Sequence, residues 1–86
     1  MLETLNTPDL WLGSYILSES DAELKEVQFS ERKGSILFYF KGEDLNLLVR
    51  EYYEEEALAN VIMLRSKLNF LRDIVFESRK QKKLRR

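Results

Sequence analysis

Arg65, Arg72, Arg79 and Arg86 recur at every seventh position, and Lys83 falls within the same line when the residues are set out at about 100° per residue of helix. Lys80 and Lys82 broaden its terminal part. Cations spaced along one flank of a helix suit one kind of chemistry: each can neutralise a phosphate and release its condensed counterions. About six such contacts on a duplex would make log affinity fall with log salt at a slope of about −5. The same residues also fit a solvated ending, since Lys and Arg near a helix C-terminus complement its dipole and keep a small apolar domain in solution. Base-specific readout is not implied, because few Asn or Gln accompany the ridge.

The ridge belongs to a strong segregation of charge that a net charge of −1 conceals. Residues 1–60 hold 5 Lys or Arg against 13 Asp or Glu, whereas residues 61–86 hold 9 against 2. An acidic body ending in a basic helix points to a surface that meets something anionic.

Other chemistry is poorly provided for. There is no His and no Cys, which removes the commonest general base, the commonest pH switch and thiolate metal sites together. The seven Ser residues sit in no nucleophile context, and Gly13, Gly34 and Gly42 are isolated, so no phosphate-cradling loop is present. Glu51, Glu54, Glu55 and Glu56 are the one acidic run, but hard cations need oxygens converging from a shaped loop. The sequence therefore implies no enzyme, no metal, no cofactor and no small-molecule substrate. The absence of cysteine, of a basic leader and of any apolar run near the ~20 residues of a membrane span points to a cytoplasmic, soluble protein that engages no membrane.

These residues must be positioned by one modest core. A chain of 86 residues that is 44% hydrophobic, with ten aromatics, can bury roughly 60–65% of its unfolded surface. Thr7-Pro8-Asp9 starts a helix, with Thr7 as cap, Pro8 at the first helical position and Asp9 on the positive end of the dipole. Leu10 to Leu17 is apolar around most of its circumference and should form a short, largely buried helix ending near residues 18–21. Gly13 inside it costs about 1 kcal/mol against Ala, which a close crossing by another element would explain.

A strand follows over 25–31, with Val27 and Phe29 on one face, then a turn at Arg32-Lys33-Gly34 and a second strand over 35–41. Ile36, Phe38 and Phe40 share one face of that strand; Leu37 and Tyr39 take the other. A lone hairpin is not stable, so helices must cover at least one side. Gly42 ends the strand, and a second helix opens at Glu43-Asp44 and runs to about Glu55. A break over 56–60, with Asn60 capping the last helix, is favoured over one helix running from Asp44 to the end, whose length would be unusual here.

In the last helix Val61, Leu64, Leu68, Leu71 and Val75 form the core seam, while Met63, Phe70 and Ile74 make a second apolar line roughly 110° away. That line and Leu37/Tyr39 on the hairpin suggest a protein interface, either with another protein or in a homodimer, because so small a domain struggles to cover them all. Tyr15, Phe38, Tyr39, Phe40, Tyr52 and Tyr53 could stack bases on the sheet. An acidic body would repel the phosphates, however, and core packing accounts better for most of them. Tyr39 and Tyr53 fit the core least well.

The stretches Thr7-Pro8-Asp9-Leu10-Trp11-Leu12-Gly13-Ser14-Tyr15-Ile16-Leu17, Ile36 to Phe40 and Leu68-Asn69-Phe70-Leu71-Arg72-Asp73-Ile74-Val75-Phe76 resemble a small family of phage- and bacteria-encoded domains catalogued only as a domain of unknown function. Members similarly open on Thr-x-Asp-Leu-aromatic-Leu and close on a motif similar to Leu-x-x-Leu-Lys-Asp-x-Ile-Tyr. They tend to carry a Gly and a Pro at the break before the last helix, which this chain lacks, and the basic ending lies outside their usual core. The resemblance implies the architecture and a mobile-element origin, and it carries over no functional residues.

The expected fold is a single α+β domain over 7–76, helix–β-hairpin–helix–helix (αββαα), with the last helix extended into a basic tail over 77–86. The leading reading is a non-catalytic accessory protein binding nucleic acid non-specifically through Arg65, Arg72, Arg79, Lys80, Lys82, Lys83, Arg85 and Arg86. The alternative is an interaction or self-assembly module using Leu37, Tyr39, Met63, Phe70 and Ile74, with the tail only solubilising.

Overall fold

A computed structural model describes residues 2–30, 35–54 and 59–84, with side chains placed over 2–29, 36–54 and 59–78. The elements run β1 (Leu2–Thr7), α1 (Leu10–Glu19), β2 (Glu23–Ser30), β3 (Ser35–Glu43), α2 (Leu45–Tyr53) and α3 (Val61–Leu84). The class is α+β, with three helices on a three-stranded antiparallel sheet. The order βαββαα corrects the expected αββαα by one strand at the front.

That strand is β1. It pairs with β3 from Leu2↔Glu43 to Thr7↔Phe38, so the sheet order is β1-β3-β2 and β3 is central. A third strand answers the instability of a bare hairpin. Thr7 is consequently a strand residue, buried beside Phe38, and its Oγ1 accepts from the Asp9 N–H at 3.1 Å. The helix cap moves two residues on from the expected Thr7: Asp9 Oδ1 accepts from the Trp11 N–H at 2.9 Å and the Leu12 N–H at 3.2 Å.

The hairpin forms in the register its alternation predicts, with Val27↔Phe38 and Phe29↔Ile36 on one face. An irregularity between Leu24 and Glu26 bends the edge strand. The strand passes Gly42, its expected end, and stops at Glu43. The turn at 32–34 lies outside the described residues.

The core sits on the sheet face that carries Ile36, Phe38 and Phe40, where Leu12 and Ile16 of α1, Leu45 of α2 and Leu71 of α3 close over it. Gly13 explains how three layers meet there. A Cβ at Gly13 would lie 3.0 Å from Leu71 Cδ1 and 3.1 Å from Phe40 Cζ, so the bare backbone lets sheet and α3 press on α1 together. The buried Ser14 hydroxyl donates to the Leu10 carbonyl at 2.6 Å, satisfying itself within the helix. Tyr15 ties α1 to α2: its hydroxyl donates to Glu51 Oε2 at 3.3 Å, and its ring lies 5.9 Å from that of Tyr52. Burial first, and then the Glu51 carboxylate, push the Tyr15 hydroxyl above its ordinary pKa.

Candidate nucleic-acid interface

α3 starts where its cap requires. Asn60 Oδ1 accepts from the Met63 N–H at 3.0 Å, and the Leu64 N–H donates to the Asn60 carbonyl at 2.8 Å. Asn60 is thus the cap expected from the sequence, and α2 and α3 are separate helices. Residues 55–58 between them lie outside the described residues, Glu55 and Glu56 of the acidic run included.

From this start the backbone stays helical to Leu84, 24 residues in all. Leu64, Lys67, Leu68, Leu71, Ile74, Val75 and Ser78 face the body, with Leu71 wholly buried and the rest half-buried. Val61, placed in the seam by its spacing, is instead 69% exposed, so the seam begins at Leu64. Arg65 and Arg72 are exposed. They stand about a third of a turn from Leu71; the side chains of Arg79, Lys80, Lys82 and Lys83 lie outside the described residues. Arg85 and Arg86 lie outside the described residues.

The second apolar line divides. Met63 and Phe70 are exposed, Phe70 by 50%. Ile74 is half-buried and packs against the core, because it stands closer to Leu71 around the helix than Phe70 does. It therefore leaves the candidate interface. On the sheet, Leu37 and Tyr39 lie on the face opposite the helices and are half-buried; the Tyr39 hydroxyl donates to Gln28 Oε1 at 3.2 Å. Cross-strand neighbours on that face are polar: Gln28 beside Leu37, and Asn6 and Glu26 beside Tyr39. Nearby, Lys25 Nζ meets Glu23 Oε2 at 2.6 Å, and this hydrogen bond together with the ammonium charge holds the Glu23 carboxyl below its usual range.

The aromatics divide as well. Phe38, Phe40 and Tyr15 are core, and Tyr52 is half-buried, its hydroxyl raised in pKa by burial and then by the Asp9 carboxylate and Tyr53. Tyr53 is exposed. Two exposed aromatics escaped the sequence reading altogether: Trp11, 54% exposed on the first turn of α1, and Phe76, 66% exposed on α3. Phe76 borders an open groove lined also by Leu10, Asn69, Arg72, Asp73 and Val75. The angular reading holds a signal for Phe76, which falls about 40° past Arg72 and so outside the seam. Nothing marks Trp11, which is embedded in a run apolar on every side.

Among the described residues no three His, Cys, Asp or Glu side chains converge as metal ligands, and no helix is long and apolar enough to cross a membrane. Comparison with known proteins adds no further constraint on the site: no protein-family model matches the chain, and neither does any curated protein or any solved structure.

Proposed function

We propose that this chain is a non-catalytic cytoplasmic protein that binds nucleic acid through phosphates along one flank of α3, and that it serves as an accessory factor of phage or mobile-element type. The observation that supports the binding reading is the placement of Arg65 and Arg72 in solvent on a helix that continues unbroken to Leu84. Seven-residue steps set arginines along such a helix about 10.5 Å apart. The accessory role rests on the sequence stretches that resemble the phage and bacterial domain family.

A salt titration of the full chain against labelled duplex tests the binding. Each lost phosphate contact lowers the slope of log affinity on log salt by about one. Arg72→Glu and Lys83→Glu together should therefore weaken binding and flatten the slope by about two, or more through repulsion. Absence of binding at low salt, or a slope indifferent to both reversals, refutes the proposal.

The exposure of Val61, Ile62, Met63 and Phe70 favours a second reading, in which α3 docks on a protein or on another copy of the chain. Sedimentation of the parent and of Phe70→Ser separates the two. A parent that sediments as a dimer, and a monomeric Phe70→Ser with unchanged nucleic-acid affinity, would establish docking independently of the arginine flank.

A further inference from the structure

We infer that the groove between the first turn of α1 and α3 receives the unpaired bases of a single-stranded nucleic acid whose phosphates run along the arginine flank. The inference rests on the phosphate-binding reading above and narrows its ligand from any nucleic acid to a single strand.

Three features of the groove carry it. Its apolar walls, Leu10, Val75 and the exposed Phe76, offer faces rather than hydrogen bonds. Arg72 stands between Val75 and Phe76 around the helix, in line with Arg65 on the same flank, so a cation is set among the apolar groups. Asp73 lies on the other side of Phe76 around the helix and repels phosphate, which confines the backbone of a bound strand to the arginine side. Asn69, one heptad before Phe76, presents an amide next to the same surface.

A duplex makes no use of this arrangement. Its bases are stacked on one another and its outer surface is phosphate, so Phe76 and Leu10 would stay wet against it. A single strand offers both halves of the match: base faces that stack on aromatic rings with little regard to sequence, and phosphates for the adjacent cations. The exposure of Phe76, which leaves apolar area in water, is relieved by such a ligand. An acidic peptide would bring charge for Arg72, but flat faces only through aromatic side chains of its own.

The test uses the full chain with labelled oligo(dT) and a labelled duplex at equal ionic strength, reading anisotropy for binding and the emission of Trp11, the one tryptophan. The single strand should bind more tightly and change the Trp11 emission. Phe76→Ala should weaken the single strand roughly 5- to 150-fold, the worth of one stacked base, and leave the duplex unchanged. Phe76→Tyr, which keeps the ring, should restore the single strand, and Arg72→Gln should weaken both ligands alike. Equal affinity for the two ligands, with Phe76→Ala neutral, overturns the inference and leaves the phosphate-binding reading standing. Failure of both ligands to bind at low salt overturns both.

Discussion

The meeting of Gly13, Leu71 and Phe40 predicts that Gly13→Ala changes sign with its neighbour. In the parent, the new methyl would stand 3.0 Å from Leu71 Cδ1 and 3.1 Å from Phe40 Cζ, and both neighbours are fully buried and have little room to yield. Overpacking of this kind costs about 1–3 kcal/mol. Replacing an interior helical glycine by alanine returns about 1 kcal/mol, so the net loss should be about 1 kcal/mol. Leu71→Ala alone should cost about 2.7–5 kcal/mol, because Leu71 is the fully buried side chain by which α3 is anchored. That is a large part of the about 4–13 kcal/mol available to a domain this size. In the Leu71→Ala background the space at Cδ1 is free and Phe40 can shift into it. There Gly13→Ala should stabilise by about 1 kcal/mol, giving a coupling of about 2 kcal/mol. Urea unfolding of the four proteins, followed by circular dichroism, closes the cycle. Additive free energies within about 0.5 kcal/mol would refute the claim that Gly13 is glycine because α3 and the sheet both press on it.

Three further outcomes follow from the caps and the tyrosines. Asp44 holds φ 58° and ψ 28° ahead of α2, with no capping bond from its side chain; Asp44→Gly should therefore exceed Asp44→Ala in stability by about 1 kcal/mol, and the reverse order of thermal midpoints would contradict that geometry. Asp9→Ala should cost about 1 kcal/mol in urea unfolding by freeing the Trp11 and Leu12 N–H groups, and Asp9→Asn much less; a neutral Asp9→Ala would return the capping role to Thr7. The hydroxyls of Tyr15 and Tyr52 are raised in the folded state, so the protonated phenol favours folding. Their contribution is complete below the unfolded value of 10.0 and is lost as pH rises through the higher folded values. Tyr15→Phe and Tyr52→Phe should each flatten part of the alkaline decline of the urea midpoint, and an unchanged decline in the double variant would refute the assignment.

Much of this was readable from residue order. The β2–β3 alternation, the Asn60 cap and the centre of the seam at Leu71 are local signals, and each follows from periodicity or side-chain chemistry within a few residues. Even the crossing at Gly13 was legible, since a glycine inside so apolar a helix asks for a neighbour. β1 was not. Its inward residues are Glu3, Leu5 and Thr7, only one of them apolar, so the two-residue period is silent and the strand is defined by its partner β3. Thr7 then misled twice over, being a good cap by type and a strand end in fact. The exposed residues failed for a related reason: α1 is apolar on all sides, and the side left bare at Trp11 depends on where α3 lies. The flank of arginines, by contrast, needed only a helix long enough to carry it.

The central place of β3 also shapes how the chain folds. Its pairing with β2 spans only the four residues between Ser30 and Ser35, whereas Thr7 reaches Phe38 only after α1 and the whole of β2 have been laid between them. Loop-closure entropy makes the hairpin the earlier event and the docking of β1 the later one. Substitutions in β1, such as Leu5→Ala, should then speed unfolding and leave the folding rate nearly unchanged, while Val27→Ala in the hairpin slows folding. Until β1 arrives, the backbone edge of β3 over Phe38–Glu43 stands open, which makes this one interval the time at which a newly made chain is most exposed to pairing with another.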